Sequence, residues 1–419
     1  MACKGSGVQI PSAPHNFMKS FVLETKELLL SQGVIAILAI IQIRIVATNL
    51  GPEVYGKIGV YWGLIALCFR LLNSRNSDLV LINFKNKDKN FLRSSILFEI
   101  ILGLISSLIA LSLFLISINL KILDTDQIPF YIFIFIFSRI FLNILEVFKG
   151  FYTHSGNLKI YSLVDSASSI LRFVLVVSFI VYSPQIDSFF FAISINNFLV
   201  GVFVVFLLFK NSQSQNEQMS LKEYYSFSKS NFNKIRLDQA VGLIPQHLDV
   251  VVIGFFSDFY SAGIYRIAKK LVEPINYLVV AFSPWMLNKI SNDKKYNFRK
   301  LSIQVLFPIT FLLTTAYLLF GDHLIRFVAG EEFQESIMPM IILLFGYIVY
   351  FITFWTRHYL LLNNLILKHT TGRIINLAVF IISSSVLIAQ YSFNGIALSI
   401  SLGIISQKIY EVFIYVKNK

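Results

Sequence analysis

The chain has 419 residues, 56% of them hydrophobic and only 14% charged, and its mean hydropathy is +0.69. Water-soluble domains carry about 45–50% apolar and about 25% charged residues, so this composition excludes an ordinary soluble enzyme and demands many membrane-crossing helices. The formal net charge of +13 reads as an excess of loop cations at one membrane face rather than a nucleic-acid surface. Two cysteines, Cys3 and Cys68, cannot build a disulfide framework or a cysteine-ligated metal cluster.

Residues 1–17 are small, polar and unlike the rest of the chain, and are set aside as a non-native or disordered extension ahead of Met18. A helix needs about 20 apolar residues to cross the hydrocarbon core. Runs of that length fall at 29–49, 57–74, 95–118, 128–147, 160–182 and 187–209, which makes residues 18–209 a six-helix bundle. Residues 210–230, rich in Ser, Gln, Asn, Lys and Glu, read as a cytoplasmic linker. Further runs at 236–256, 262–287, 301–320, 336–356, 370–389 and 393–415 make 231–419 a second six-helix bundle. The expected class is therefore an all-α polytopic membrane protein of about twelve helices.

Loop charge supports the count. With a cytoplasmic N-terminus, the inner loops hold Arg75, Lys85, Lys87, Lys89, Arg93, Lys149, Lys159, Lys210, Lys222, Lys229, Lys289, Lys294, Lys295, Arg299, Lys300, Arg357, Lys368 and Arg373. The outer loops offer Lys121 and Arg326 against Asp124, Asp126, Asp187, Asp258, Asp322, Glu331, Glu332 and Glu335. That alternation places both termini in the cytoplasm. A repeat adds to it: Asn49-Leu-Gly-Pro-Glu-Val-Tyr-Gly56 and Phe256-Ser-Asp-Phe-Tyr-Ser-Ala-Gly263 sit in equivalent turns about half a chain apart. Six helices per half gives the two halves one orientation, as in the parallel repeats of several transporters.

Gly51-Pro-Glu-Val-Tyr-Gly56-Lys57 fills the first seven positions of a phosphate-binding loop, but Ile58 stands where a hydroxyl is required and no strand precedes it. No protease or hydrolase signature occurs elsewhere, and neither enzymatic activity nor a cofactor is expected. Ionisable residues inside spans are costly and normally face a cavity or a partner. They are Arg44, Arg70, Arg139, Arg172, Asp249, Arg266, Lys269, Lys270 and Glu273. Positions 266, 269, 270 and 273 follow the i, i+3, i+4, i+7 rule, with Ile264, Ile267, Leu271, Ile275 and Leu278 opposite them.

Such a stripe suits a water-filled cavity with a cationic wall, and Arg and Lys bind phosphate oxygens through charge-assisted hydrogen bonds. The alternative is local neutralisation by Glu273 with the remaining cations snorkelling to an interface. Asp249 is expected either to pair with a cation of the eighth span or to take up a proton, and His247 either to titrate or to pack. Pro245, Pro274 and Pro284 mark kinks. Tyr55, Tyr61, Trp62, Tyr260 and Tyr265 read mostly as an interfacial belt, with a minority available to stack on sugars.

The stretch IVATNLGPEVYGKIGVY, Ile45 to Tyr61, resembles the turn between the first two helices in the polysaccharide biosynthesis (O-antigen flippase) family of the multidrug/oligosaccharidyl-lipid/polysaccharide (MOP) exporter superfamily. LDVVVIGFFSDFYSAGIY, Leu248 to Tyr265, is similar to its second-half counterpart, and Phe320-Gly321-Asp322 and Gly330 to Pro339 resemble the outer loop before the tenth helix. The resemblance implies two six-helix bundles related by a pseudo-two-fold axis along the membrane normal. It also implies a bacterial cytoplasmic-membrane location and an undecaprenyl-pyrophosphate-linked oligosaccharide substrate, moved from inner to outer leaflet by alternating access.

The partners it implies are membrane lipid and a polysaccharide polymerase with its chain-length machinery. Related lipid II flippases carry cavity arginines on helices one and eight, and Arg44 and Arg266 occupy comparable places. Those relatives have fourteen spans, which argues for a sugar-repeat flippase here. The expected cationic cavity comprises Arg44, Arg139, Arg172, Arg266, Lys269 and Lys270, with Asp249, Glu273 and His247 as ion-pair or coupling groups. Two other readings fit less well. A cation-coupled multidrug exporter of the same superfamily would favour an acidic cavity, and a membrane polysaccharide polymerase would need a larger outer loop.

Overall fold

The computed structural model describes residues 14–72, 89–120, 128–154, 158–211, 221–276, 278–279, 302–363 and 365–418. The loop cations Arg75, Lys85 and Lys87, the group from Lys289 to Lys300, Lys121, Asp124, Asp126 and Pro284 lie outside them, as does most of the 1–17 extension. Among the described residues the chain is helical and has no strand. The cause is the solvent: hydrocarbon offers nothing to backbone N–H and C=O groups, so each must be satisfied within its own helix.

Among the described residues nine helices are long and apolar enough to cross a membrane, and two of these are double. The helix Pro14–Leu72 breaks at Gly51, whose φ of 73° is open to glycine at no steric cost, and Pro52 restarts the next helix where its missing N–H is not needed. This yields α1 (14–50) and α2 (52–72). The helices α3 (Lys89–Asn119), α4 (Phe130–His154), α5 (Leu158–Tyr182) and α6 (Ile186–Asn211) complete the first lobe.

The second lobe holds α7 (Leu221–Phe256), α8 (Phe259–Val272), α9 (Phe307–Val328) and α10 (Ile337–Ile352). A short helix, Trp355–Leu362, comes next. The helix Ile366–Lys417 then divides at Ser392 (φ 47°) into α11 (366–391) and α12 (393–417). Among the described residues the architecture is thus twelve numbered helices and one short one, arranged in two lobes, and the P-loop-like stretch Gly51–Lys57 is a kink leading into a helix. Lys57 is tied there to Glu53 at 2.9 Å.

Several boundaries differ from the sequence expectation: α1 begins at Pro14, inside the expected 1–17 extension, and α8 ends at Val272, ahead of Pro274, where a run to 287 was expected. α7 starts at Leu221, inside the expected 210–230 linker, because Tyr224 anchors this polar stretch by burying against Phe98 of the first lobe. α9 runs on to Val328, through the expected outer loop. Gly321 lets Met340 pack close, Asp322 pairs with Arg326 one turn on at 3.1 Å, and Ile325 and Val328 are buried.

Four turns meet at one end of the molecule. A Cβ on Gly51 would approach Glu332, one on Gly330 would approach Thr48, and Ser392 bonds to Ser257 at 3.1 Å. Just beneath them α2 crosses α8 at backbone contact: a Cβ on Gly56 would collide with the Phe259 carbonyl, and one on Gly263 with that of Pro52. Gly56 and Gly263 are the equivalent final glycines of the two repeat motifs, so the pseudo-symmetry places one against the other. Gly59 and Gly63 extend the stripe on α2 and admit Arg266, Val250 and Val251. Small residues let helices approach closely where lipid supplies no hydrophobic drive.

Gly56→Ala or Gly263→Ala is therefore expected to destabilise the protein by about 1–3 kcal/mol through overpacking. Gly33→Ala, with nothing within 4 Å of the added methyl, should leave stability unchanged or slightly raised. Thermal unfolding in detergent distinguishes the two outcomes.

Candidate functional site

Between the lobes lies a cavity of about 450 Å³, lined by α1, α2, α5, α6, α7, α8 and α10. Its polar wall is α8. Asp258 caps that helix, accepting from the Ser261 backbone N–H at 2.6 Å and its hydroxyl at 3.0 Å. Ile264, Ile267, Leu271 and Ile275 pack inward at 3% exposure or less, which turns the opposite face, Arg266, Lys269, Lys270 and Glu273, into the cavity. The helix ends ahead of Pro274, which has no N–H to continue the ladder.

Each charge on that face is held differently. Lys269 Nζ lies 2.6 Å from Asp249 Oδ2 of α7 and also donates to the Gln246 carbonyl at 2.5 Å. Asp249, 1% exposed, accepts further bonds from the Tyr265 hydroxyl and the Val250 N–H, both at 2.8 Å. Lys270 pairs with Glu273 at 2.7 Å. Arg266 instead donates to the Tyr55 carbonyl at 2.7 Å, its guanidinium 4.3 Å from the centre of the Tyr55 ring. A carbonyl dipole and a ring quadrupole hold the cation without cancelling its charge.

Of the residues singled out from sequence, Arg172, His247, Asp249, Arg266, Lys269, Lys270 and Glu273 line the cavity together. Arg44 does not: it lies on an exposed face of α1, 4.8 Å from the Phe327 ring of α9. Arg139 is buried inside the first lobe, 5.4 to 5.7 Å from the rings of Trp62, Phe69 and Phe135. The expected aromatic belt also changes. Tyr55, Tyr61 and Tyr265 are interior, held by Arg266, by Phe114 and Phe190, and by Asp249 respectively, while Tyr260 stays exposed.

A second cavity, of about 300 Å³, opens inside the second lobe and shares Gln246, Asp249, Lys269, Asn276 and Tyr347 with the first. Behind it lies a buried polar network of Asp238 on α7, His369 and Arg373 on α11, and Lys408 and Glu411 on α12. None of these five was singled out as a site from sequence. Lys408 and Glu411, three apart in an apolar run, were the available signal. Arg373, expected in an inner loop, sits within α11 because Asp238 receives it at 3.1 Å.

Solved structures share this architecture. An inward-facing multidrug resistance MATE family transporter of the MOP superfamily superposes with a TM-score of 0.70 at 14% identity, over 91% of this chain and 94% of that one. The lipid II flippase MurJ in an inward closed conformation gives 0.74 at 17% identity, over 94% and 87%. A MOP superfamily transporter from Pyrococcus furiosus, described as having a binding pocket of reversed polarity, gives 0.57 at 13%, over 93% and 95%.

At such identities the likeness establishes the fold alone: a multi-pass helical membrane protein with the two-lobed architecture of these structures. The chain belongs to the polysaccharide biosynthesis protein family, whose profile matches residues 25–287. No curated protein matches the sequence significantly.

The Lys269–Asp249 pair gives a direct prediction. Asp249→Asn strands an ammonium and is expected to lose about 2 kcal/mol, below the about 3–5 kcal/mol of a dry pair because Lys269 faces the cavity. Asp249→Asn combined with Lys269→Gln should recover most of that loss. A double-mutant cycle of thermal unfolding in detergent measures the coupling.

Proposed function

We propose that this protein is a flippase that moves undecaprenyl-pyrophosphate-linked oligosaccharide units, O-antigen or a related surface polysaccharide, from the inner to the outer leaflet of the bacterial cytoplasmic membrane. The observation that carries the reading is the charge of the central cavity. Among the described residues four cations line it, Arg172, Arg266, Lys269 and Lys270, against two acids, Asp249 and Glu273. Lys269 and Lys270 are each offset by a carboxylate in direct contact, whereas the direct contacts of Arg266 are with the neutral Tyr55 carbonyl and ring.

A pyrophosphate needs such a cradle when it leaves water, since burying its charge unpaired is prohibitive. In this reading the pyrophosphate sits against Arg266 and its neighbours, the sugars occupy the hydrated cavity, and the prenyl chain stays in lipid. Membership of the polysaccharide biosynthesis family supports that substrate class over a drug.

In this reading the end bearing the four turns is the outer one and both termini are cytoplasmic, an orientation the excess of cations in the opposite loops supports. The Gly56–Gly263 crossing then closes the outer side and leaves the cavity facing inward. Translocation requires that crossing to part while the lobes meet at the inner end. A polysaccharide polymerase and its chain-length partners would act on the delivered lipid.

In a strain lacking the gene, Arg266→Ala is expected to lower surface polysaccharide at least tenfold while the protein still reaches the membrane. Arg266→Lys, which keeps the charge and loses the planar contact with Tyr55, should retain part of it. Normal polysaccharide with Arg266→Ala would overturn the cradle.

A further inference from the structure

Arg139 takes no part in the central cavity, yet it is buried in the first lobe at 7% exposure. A guanidinium cannot shed its proton, so a buried one calls for a counter-charge and acceptors. Among the described residues its Nε and Nη1 have no hydrogen-bond partner, and no carboxylate, the buried Glu99 of α3 included, lies within ion-pair distance. The rings of Trp62, Phe69 and Phe135 stand 5.4, 5.5 and 5.7 Å from the guanidinium carbon. Ring quadrupoles ease the burial of a cation without cancelling its charge.

Further unanswered polar atoms lie at the same level. α2, α4 and α6 run in one direction: Trp62 meets Phe135 and Phe189 at one height, and further along α4 Phe141 packs on Phe198 and against Gly201 of α6. One turn beyond Arg139, on the same face of α4, is Asn143, whose side chain leans back toward it. Two turns beyond Phe189 is Asn196, on the face that α6 turns to α2. These residues are 5% and 3% exposed, and Asn143 Nδ2 and Asn196 Oδ1 have no hydrogen-bond partner among the described residues. Ser138 and Asn197 beside them are already occupied, bonded to each other at 3.1 Å, with the Ser138 hydroxyl donating to the Phe135 carbonyl.

We propose that Arg139, Asn143 and Asn196 form a binding site for a small inorganic monoanion, chloride, inside the first lobe. One negative charge balances the one guanidinium, whereas a water molecule would bond to its nitrogens and leave the charge in place. The Arg139 Nε–H and Nη1–H and the Asn143 NH2 supply donors, and half a turn of the Asn196 amide adds another. A phosphate brings more charge and four oxygens, which three aromatic rings and these few donors do not satisfy.

The site bears on the central cavity from behind its wall. Trp62 stands between the two, lining the cavity and facing Arg139. With chloride bound, Arg139 is neutralised and α2, α4 and α6 are tied around one ion. Without it, the guanidinium's field reaches the cavity past the indole, and the charge of Arg70 on α2 adds to it. Chloride occupancy thus sets how much the first lobe contributes to the potential of the cavity. The site itself does not rest on the flippase reading.

Thermal unfolding in detergent tests the site. At constant ionic strength, replacing gluconate by chloride should raise the wild-type Tm by a few degrees along a saturating curve. Arg139→Gln should lose that chloride dependence whatever its own Tm, and Asn143→Leu combined with Asn196→Leu should move the curve to several-fold higher chloride. Arg266→Ala, which alters the central cavity, should keep the dependence. A wild type indifferent to chloride, an Arg139→Gln protein that responds as the wild type does, or a response lost with Arg266→Ala would each overturn the site.

Bromide, which scatters anomalously, locates the ion directly. Wild-type crystals grown in bromide should show an anomalous peak within hydrogen-bond reach of the Arg139 guanidinium, and Arg139→Gln crystals none there. A peak confined to the central cavity, or water density beside Arg139 with no anomalous signal, would overturn the proposal. If Arg139→Gln does not fold, the wild-type map and that of Asn143→Leu decide it: the peak should weaken in the variant, and an undiminished one would overturn the assignment.

Discussion

The crossing of α2 and α8 at Gly56 and Gly263 is the contact on which the site depends. Only hydrogen atoms stand between each of these backbones and the carbonyl opposite, and that proximity puts the Tyr55 carbonyl within reach of Arg266. Gly59, one turn further along α2, leaves the space that the Arg266 side chain fills. A methyl group at Gly56 or Gly263 would collide with the opposite carbonyl, and one at Gly59 would crowd the Arg266 side chain. The cation at the head of the cavity is thus a consequence of helix packing, and the packing is a consequence of side chains that are missing.

Below that crossing, charge is managed in two ways. In the central cavity the cations share one face of one helix, the two lysines offset by Asp249 and Glu273 and the arginine held over Tyr55 by neutral groups. In the second lobe the charges come from three helices and cancel pairwise, Asp238 with Arg373 and Glu411 with Lys408, leaving His369 Nε2 without a hydrogen-bond partner among the described residues. The first arrangement suits an anion that must be held and released. In a low-dielectric interior these are the two economical ways to keep ions, since an isolated buried charge shifts to its neutral form.

Arg44 and Arg139 show where reading along a helix stops being informative. Both are cations within apolar runs, as Arg172 and Arg266 are, and nothing local separates the four. Arg44 meets the Phe327 ring on an exposed face because α9 continues past Gly321; Arg139 lies against the rings of Trp62, Phe69 and Phe135 because α4 turns it into the first lobe. The α8 stripe, by contrast, was legible because its four polar positions and its apolar face share one helical period.

The sequence by itself determined the membrane solvent, the all-helical two-lobed class and the polar face of α8. Each of these depends on composition or on spacing along a single element, which the 3.6-residue period and the thickness of the bilayer translate directly into structure. Only the tertiary structure decided which arginines reach the cavity, where α7 and α9 begin and end, and that Asp238, His369 and Glu411 meet. His369 and Glu411 are 42 residues apart, and Asp238 is 131 residues from His369. No local pattern records such a meeting, because it is fixed by how whole helices pack and not by what any one of them prefers.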